Sequence, residues 1–154
     1  MAIYRAPENI ALRDRNRKSV FLAGSIMGEN GDLCEDWQTP LEKTFHDNGF
    51  DVFNPRRSTW DSTWEQKFSN PQFFQQVTWE LNALEQADMI VMYFDPNTKS
   101  IISMMELGAH KDSGKIYVVC PDGYCRKGNV EIFCWFYNIP LYNTLDTLLL
   151  DLNI

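Results

Sequence analysis

The chain has 154 residues, of which 44% are hydrophobic and 14% aromatic, and its formal net charge is −7. This length suits one folded domain, and the composition excludes a disordered chain. The negative charge argues against a broad nucleic-acid-binding face, because phosphate backbones require clustered cations. We expect a cytoplasmic protein, since the N-terminus lacks the apolar core of a signal peptide and no apolar run approaches the ~20 residues of a membrane span.

Cysteine and histidine are too few and too scattered to indicate a metal site. The chain contains two histidines and four cysteines. None of the cysteines forms a C-x-x-C pair: Cys34, Cys120, Cys125 and Cys134. We therefore expect reduced, mostly buried thiols, with neither a metal nor another cofactor.

The first third of the chain begins with a polar, charged segment. Residues 1–18 suggest a loosely held N-terminal arm, followed by one domain over residues 19–154. The apolar segment Ser19–Gly24 predicts a buried parallel strand. A helix is predicted at about 32–48 and a second strand at 50–53. The helix is indicated by apolar residues that recur every fourth position: Leu33, Trp37, Leu41 and Phe45.

The remaining elements follow a long loop. Residues 54–70 contain Trp60 and Trp64 and show little periodicity, and loops of this length inside a domain are usually functional or mobile. The predicted elements after it are a helix at 71–86, a strand at 89–94, helices at 104–112 and 129–137, a strand at 116–120 between them, a short strand near Leu141 and a helix at 145–150.

Strands that alternate with helices predict the α/β class. We expect a doubly wound, flavodoxin- or Rossmann-like sandwich with a mostly parallel sheet of about five strands. Ligands bind such sheets at the carboxyl ends of the strands. The loops at 24–31, 54–70, 95–103 and 121–129 are therefore candidates for a single site.

Two of these loops have a structural and a functional interpretation each. Gly24 and Gly28 follow the first strand without completing G-x-G-x-x-G or a P-loop, so they form either a tight turn or a ligand loop. The loop at 121–129 is basic. Its Gly128-Asn129 either caps the next helix or, with Arg126 and Lys127, brings Asn129 near a ligand hydroxyl or phosphate.

Two glutamates are candidates for chemistry. Ser103 and Glu106 have the spacing of a capping box, in which Glu106 only accepts from a backbone N–H. Alternatively, Glu106 points from the first helical turn into the cleft, where the positive helix end keeps it ionised as a nucleophile. Glu80 borders the apolar stripe of its helix, so it is either a surface residue or a carboxylate with a function.

Five segments together resemble the nucleoside 2-deoxyribosyltransferase family and its nucleotide N-glycosidase relatives. They are "VFLAGSI" at 20–26, "NPRR" at 54–57, "WELNALEQADMIV" at 79–91, "MELGAH" at 105–110 and "RKGNV" at 126–130. The resemblance spans most of residues 19–130, and the set is more specific than any single segment.

The resemblance assigns roles to particular residues. It implies that Glu106 is the nucleophile that forms a covalent glycosyl-enzyme, and that Glu80 replaces a shorter Asp near the sugar and base. Ser100 falls where transferases have an Asp that holds the 5′-hydroxyl and where the monophosphate glycosidases have Ser. Asn129 matches an Asn that transferases donate from a neighbouring subunit. Phe21 replaces a Tyr that touches the nucleophile in many members.

These observations lead to one hypothesis and two alternatives. The chain is expected to cleave or exchange the base of a 2′-deoxyribonucleoside or its 5′-monophosphate as a homo-oligomer, with Glu106 and Glu80 as catalytic residues. The candidate substrate-binding residues are Gly24, Ser25, Asn54, Arg57, Trp60, Ser100 and Asn129. The alternatives are a nucleotide-binding sensor without turnover and a structural interaction module.

Overall fold

A computed structural model describes residues 1–28 and 31–154, which form six strands and five helices. The strands are β1 (Ile3–Arg5), β2 (Ser19–Gly24), β3 (Asp51–Asn54), β4 (Met89–Tyr93), β5 (Ile116–Val119) and β6 (Leu141–Tyr142). The helices are α1 (Gln38–Asp47), α2 (Pro71–Gln86), α3 (Ile101–His110), α4 (Lys127–Phe136) and α5 (Leu145–Leu152). Part of the predicted loop at 24–31, residues 29 and 30, lies outside the described residues.

The strands form one parallel sheet in the order β1-β3-β2-β4-β5-β6. Alternate residues of β2 point to opposite faces, as the pleat of a strand requires. Val20 and Leu22 pack with residues of α1 and α5, whereas Phe21 and Ala23 pack with residues of α2, α3 and α4. Helices therefore cover both faces, and the predicted doubly wound α/β fold is confirmed with one strand more than expected.

The additional strand comes from the N-terminal segment, which is not loosely held. Ile3–Arg5 pairs with β3 at the sheet edge, and the Trp79 side chain on α2 donates to the backbone oxygen of Glu8 at 2.7 Å. Arg13 is buried, with its guanidinium 3.9 Å from the carboxylate of Asp51. The charged side chain of Arg13 is thus part of the packed structure, which the sequence pattern did not indicate. The division of the chain at residue 19 stays a prediction.

Two helices begin away from their predicted positions. Helix α1 begins at Gln38 rather than near residue 32, and Leu33, counted in its apolar stripe, is 64% exposed. Leu33 instead forms an isolated bridge with Met27. Helix α3 begins at Ile101, three residues before the predicted start. By contrast, β2 and α2 have the predicted bounds.

Other features of the described residues concern thiols and membranes. Within residues 1–28 and 31–154, the four cysteines are free thiols, with Cys120 and Cys134 buried, Cys34 half-buried and Cys125 exposed. No helix in that part of the chain has the length and apolar character to cross a membrane.

Candidate active site

The candidate site begins where the chain changes direction in the sheet. From β2 the chain passes through α1 to β3 on one side, and β4 lies on the other side of β2. Such a switch point leaves a crevice at the carboxyl ends of the two central strands. Gly24 and Tyr93 end these strands side by side. Gly24 has φ +127°, and a Cβ atom there would lie 2.2 Å from the Tyr93 oxygen, so only glycine fits.

Three hydroxyl groups meet directly above this point. The Ser25 hydroxyl contacts those of Ser100 and Thr98, at 3.0 Å to Thr98 Oγ1, and Thr98 Oγ1 lies 2.6 Å from Ser100 Oγ. The backbone N–H of Asp95 donates to Ser25 Oγ at 2.9 Å. The loops after β2 and β4 are thus joined, and the predicted residues Ser25 and Ser100 lie together. Thr98, which no sequence motif indicated, completes this hydroxyl cluster.

Glu106 lies in the second turn of α3, not in the first. Ser100 occupies the N-cap position, with left-handed φ +48° and no side-chain cap hydrogen bond. Ser103 is therefore inside the helix and cannot form the capping box with Glu106, so that interpretation of the Ser-x-x-Glu spacing is wrong. The first-turn position of the alternative is wrong too. α3 packs against β2, and Glu106 is only 7% exposed.

The charge of Glu80 acts on the carboxyl of Glu106. Burial and then the charge of Glu80 raise the pKa of Glu106 to about 8. Burial also raises the pKa of Glu80 to about 7, against a hydrogen bond from Gln76 that lowers it. Among the described residues, no cation and no hydrogen-bond donor is bonded to Glu106. The expectation that the helix end keeps Glu106 ionised is therefore not met, because desolvation dominates at this depth.

One further side chain of the site escaped the sequence analysis. Gln76 lies one turn before Glu80 on α2 and is 5% exposed. Its amide nitrogen donates to Glu80 Oε1 at 2.8 Å and to the Pro55 oxygen at 2.9 Å. The spacing of four residues was the only available signal, and it is common on helices.

The segment "NPRR" has two parts with different surroundings. Asn54 is fully buried, and its amide nitrogen donates to Glu42 Oε2 at 2.7 Å while its oxygen accepts from the Arg56 backbone. Arg56 donates to Gln38 Oε1 at 2.8 Å. Both side chains therefore join β3 to α1, and a substrate contact of Asn54 stays a prediction that competes with these bonds.

Arg57 instead belongs to an aromatic group in the loop at 54–70. Its guanidinium lies 4.9 Å from the ring centroid of Trp64, whose ring is 5.1 Å from that of Trp60. Arg57 Nη1 and the Trp60 indole nitrogen are buried donors without an acceptor in the described chain. Donors of this kind are costly to leave unpaired, which supports the prediction that both meet a ligand.

Asn129 lines a groove whose lining includes neither Glu80 nor Glu106. It is exposed on α4 and lines a groove of about 340 Å³ with Ile132, Phe133, Phe136 and Tyr137. In the same loop, Lys127 donates to the Cys120 oxygen at 2.9 Å and to Asn143 at 2.6 Å. The Lys127 side chain is thus hydrogen-bonded within the chain, whereas the exposed amide of Asn129 is available to another molecule.

The described residues contain no group of three or more His, Cys, Asp or Glu side chains that suits a metal ion. In a comparison with protein families, the model of the family described as "Nucleoside 2-deoxyribosyltransferase like" matches residues 17–124. This span includes Glu80, Ser100 and Glu106 and ends before Asn129. A search of curated proteins found no match.

Proposed function

Because the chain belongs to the nucleoside 2-deoxyribosyltransferase-like family, we propose that it cleaves or exchanges the N-glycosidic bond of a 2′-deoxyribonucleoside or its 5′-monophosphate. The observation that carries this proposal is the buried carboxyl of Glu106, which has no cation among the described residues and feels the charge of the half-buried Glu80. Unpaired buried carboxyls are costly to a fold, and pairs with raised pKa values are typical of acid–base sites.

In this reaction the two carboxyls take different roles. The Glu106 carboxylate forms a bond to the anomeric carbon as the carbon–nitrogen bond breaks, and that electron pair leaves with the base. Glu80 gives its proton to the leaving nitrogen, because an anionic base leaves poorly. A water, giving its proton to Glu80, or a second base then displaces Glu106. The oxocarbenium-like transition state is stabilised by the nearby negative charge, as in glycosidases.

The active form must hold one proton on the pair. With both carboxyls neutral there is no nucleophile, and with both ionised there is no acid. Because the pKa of Glu106, about 8, exceeds that of Glu80, about 7, most singly protonated pairs carry the proton on Glu106, and the reaction uses the smaller fraction that carries it on Glu80. We expect a bell-shaped kcat/KM profile whose rising and falling limbs belong to the pair. The measurement is base release across pH 5 to 10 in buffers of constant ionic strength. A flat profile would contradict the assignment.

The hydroxyl cluster of Ser25, Thr98 and Ser100 supports acceptance of a 5′-phosphate. Its hydroxyls lie at the N-terminus of α3, where the N-cap side chain makes no cap hydrogen bond. Helix N-termini favour anions, and hydroxyls can donate to phosphate oxygens.

The test of the activity is release of free base from a panel of deoxynucleosides and their 5′-monophosphates. Glu106→Gln is expected to lower kcat at least roughly a thousandfold, since a covalent route then has no nucleophile. The matched control is Glu131→Gln on the exposed surface of α4. Equal rates of Glu106→Gln and the wild type would remove the role of Glu106. Binding of a nucleotide without any base release would favour the sensor instead.

We also propose a homo-oligomer in which Asn129 serves a neighbouring site. Its exposure on α4 supports this, as does the apolar surface formed by Ile132, Trp135 and Phe136, which are at least 66% exposed. Asn129→Ala and Glu106→Gln are each expected to be inactive. Mixing the two after subunit exchange is expected to restore part of the activity, because one site of a mixed dimer is intact. A fully active monomer in sedimentation would contradict this arrangement.

A further inference from the structure

The side chain of Gln76 is held in one orientation by a backbone carbonyl. Its amide nitrogen has two hydrogens, and both have acceptors: the Pro55 oxygen at 2.9 Å and Glu80 Oε1 at 2.8 Å. A carbonyl oxygen can only accept. Turning the amide over would set Gln76 Oε1 against the Pro55 oxygen, acceptor against acceptor. The nitrogen therefore faces Glu80 in either protonation state of that carboxyl.

This fixed donor makes the two oxygens of Glu80 unequal. Oε1 always accepts from Gln76, so the proton of the neutral acid is carried by Oε2. The Oε1 atom of Gln76 is buried and has no partner within the described residues, so the amide is held through its two donated bonds alone. Gln76 is 5% exposed, which leaves water little access as a substitute donor.

We infer that Gln76 is a positioning residue: it reserves Oε1 of Glu80 and leaves Oε2 to carry the proton that is given to the leaving base. This inference rests on the proposed function only for the use of that proton. The same bond and burial have opposite effects on the pKa of Glu80. Burial raises the pKa of this carboxyl, while the Gln76 N–H favours the charged form and lowers it. An acid works best with a pKa close to the working pH.

The bridge also ties the acid to the loop at 54–70. Pro55 begins that loop, which continues through Arg57 and Trp60. Because one amide holds both the loop and Glu80, the position of the acid depends on the start of the loop. A purely structural Gln76 would join α2 to the loop without affecting how Glu80 titrates, so that titration separates the two interpretations.

The first experiment uses the unmodified 154-residue chain. The carboxyl carbon of Glu80 and the side-chain amide of Gln76 are followed by NMR from pH 5 to 10, with the Glu80 signal assigned from Glu80→Gln and the Gln76 amide assigned through its own backbone. One amide proton of Gln76 is expected to shift with the same midpoint as the Glu80 carbon, and the proton bonded to Pro55 is not. If neither proton follows the Glu80 titration, the inference is wrong.

The second experiment removes the donor. Gln76→Met keeps the side-chain length and apolar stem, and Gln75→Met, one residue earlier and exposed, is the matched control. The Glu80 midpoint is expected to rise by roughly one pH unit in Gln76→Met alone, a tenfold tighter hold on the proton. A midpoint equal to that of the wild type would overturn the inference. If Gln76→Met does not fold, the first experiment alone tests the inference.

Turnover supplies the link to catalysis. In Gln76→Met, kcat is expected to fall roughly tenfold with little change in KM, and the falling limb of the pH profile is expected to move to higher pH. A raised Glu80 midpoint with unchanged kcat and limb would refute the catalytic use of Oε2. The NMR midpoints are measured without turnover. If the chain releases no base, the proposed function is wrong, but the NMR midpoints still show whether Gln76 affects the titration of Glu80.

Discussion

Two glutamates of this protein are buried to a similar degree, but one has polar and charged partners and the other has none among the described residues. Glu42 on α1 is 3% exposed, and it accepts from Asn54 at 2.7 Å and forms an ion pair with Arg5. Glu106 on α3 is 7% exposed and has neither a cation nor a hydrogen-bond donor among the described residues. Burial, and then the charge of Glu80, raise the pKa of Glu106 to about 8. Burial alone therefore does not distinguish a structural carboxylate from a reactive one, whereas the presence of partners does.

The difference follows from the cost of desolvation. A carboxylate removed from water is tolerated when charged or polar partners replace the lost hydration, as Arg5 and Asn54 do for Glu42. Without such partners the carboxyl holds its proton to higher pH. The pairing at β1, β3 and α1 thus contributes to stability, while the unpaired site beside α2 and α3 lowers stability and keeps a reactive group.

The largest effect on stability is expected when the Glu42 carboxylate is removed from its partners. Glu42→Ala leaves the buried Asn54 amide without its acceptor and Arg5 without its ion pair. We expect a loss of about 2–4 kcal/mol in the free energy of unfolding, less than for a fully buried pair because Arg5 is partly exposed. Urea unfolding measures it, with Glu131→Ala as the exposed control. A loss equal to that of the control would remove the contrast with Glu106.

An effect of opposite sign is expected for Glu106→Gln. The folded-state pKa of Glu106, about 8, exceeds the unfolded value near 4.3. The folded chain thus binds more protons between these values, and this group makes stability fall as pH rises through that window. Glutamine has no proton to lose, so the variant is expected to gain stability relative to the wild type as pH rises through that window and to equal it near pH 4.

Urea unfolding of the wild type and Glu106→Gln at pH 5 and pH 8.5 measures this difference. The control is Glu131→Gln on the exposed surface of α4. If Glu106→Gln were equally or less stable at pH 8.5, Glu106 would have a compensating partner in the folded chain, and the comparison with Glu42 would fail.

The sequence pattern predicted the sheet better than the site. Ser19–Gly24 and Pro71–Gln86 were predicted with the observed bounds because one is a continuous apolar run and the other begins at a proline and has an apolar stripe. The start of α3 was misplaced because Ser100 adopts a left-handed conformation as N-cap. Ser100 also contacts Ser25, 75 positions earlier in the chain, and no local pattern encodes that contact.

The roles of charged residues were harder to predict. The family resemblance predicted roles for Glu106 and Glu80, but it could not show that burial and the charge of Glu80 raise the pKa of Glu106. Arg13 was taken for part of a solvated arm, although its guanidinium lies between the carboxylates of Asp51 and Asp88. Whether a charge is paired depends on residues 38 to 75 positions away in the chain, and one sequence alone contains no signal of that pairing.

The smallest predicted effect concerns charge at the hydroxyl cluster. Ser100 is neutral and lies within hydrogen-bonding distance of Thr98, 2.6 Å between the two oxygens. Ser100→Asp adds a carboxylate where we propose that a 5′-phosphate binds, so it is expected to repel the phosphate and to accept from a free 5′-hydroxyl. The ratio of kcat/KM for a deoxynucleoside 5′-monophosphate to that for its free nucleoside is expected to be at least one in the wild type. In Ser100→Asp this ratio should fall roughly tenfold, about 1.4 kcal/mol.

Ser100→Ala, which removes the hydroxyl without adding charge, separates the loss of a donor from repulsion and should change the ratio less. If the wild type prefers the free nucleoside tenfold, or if Ser100→Asp leaves the ratio unchanged, position 100 does not distinguish the two substrates. The cluster would then serve to join the loops after β2 and β4.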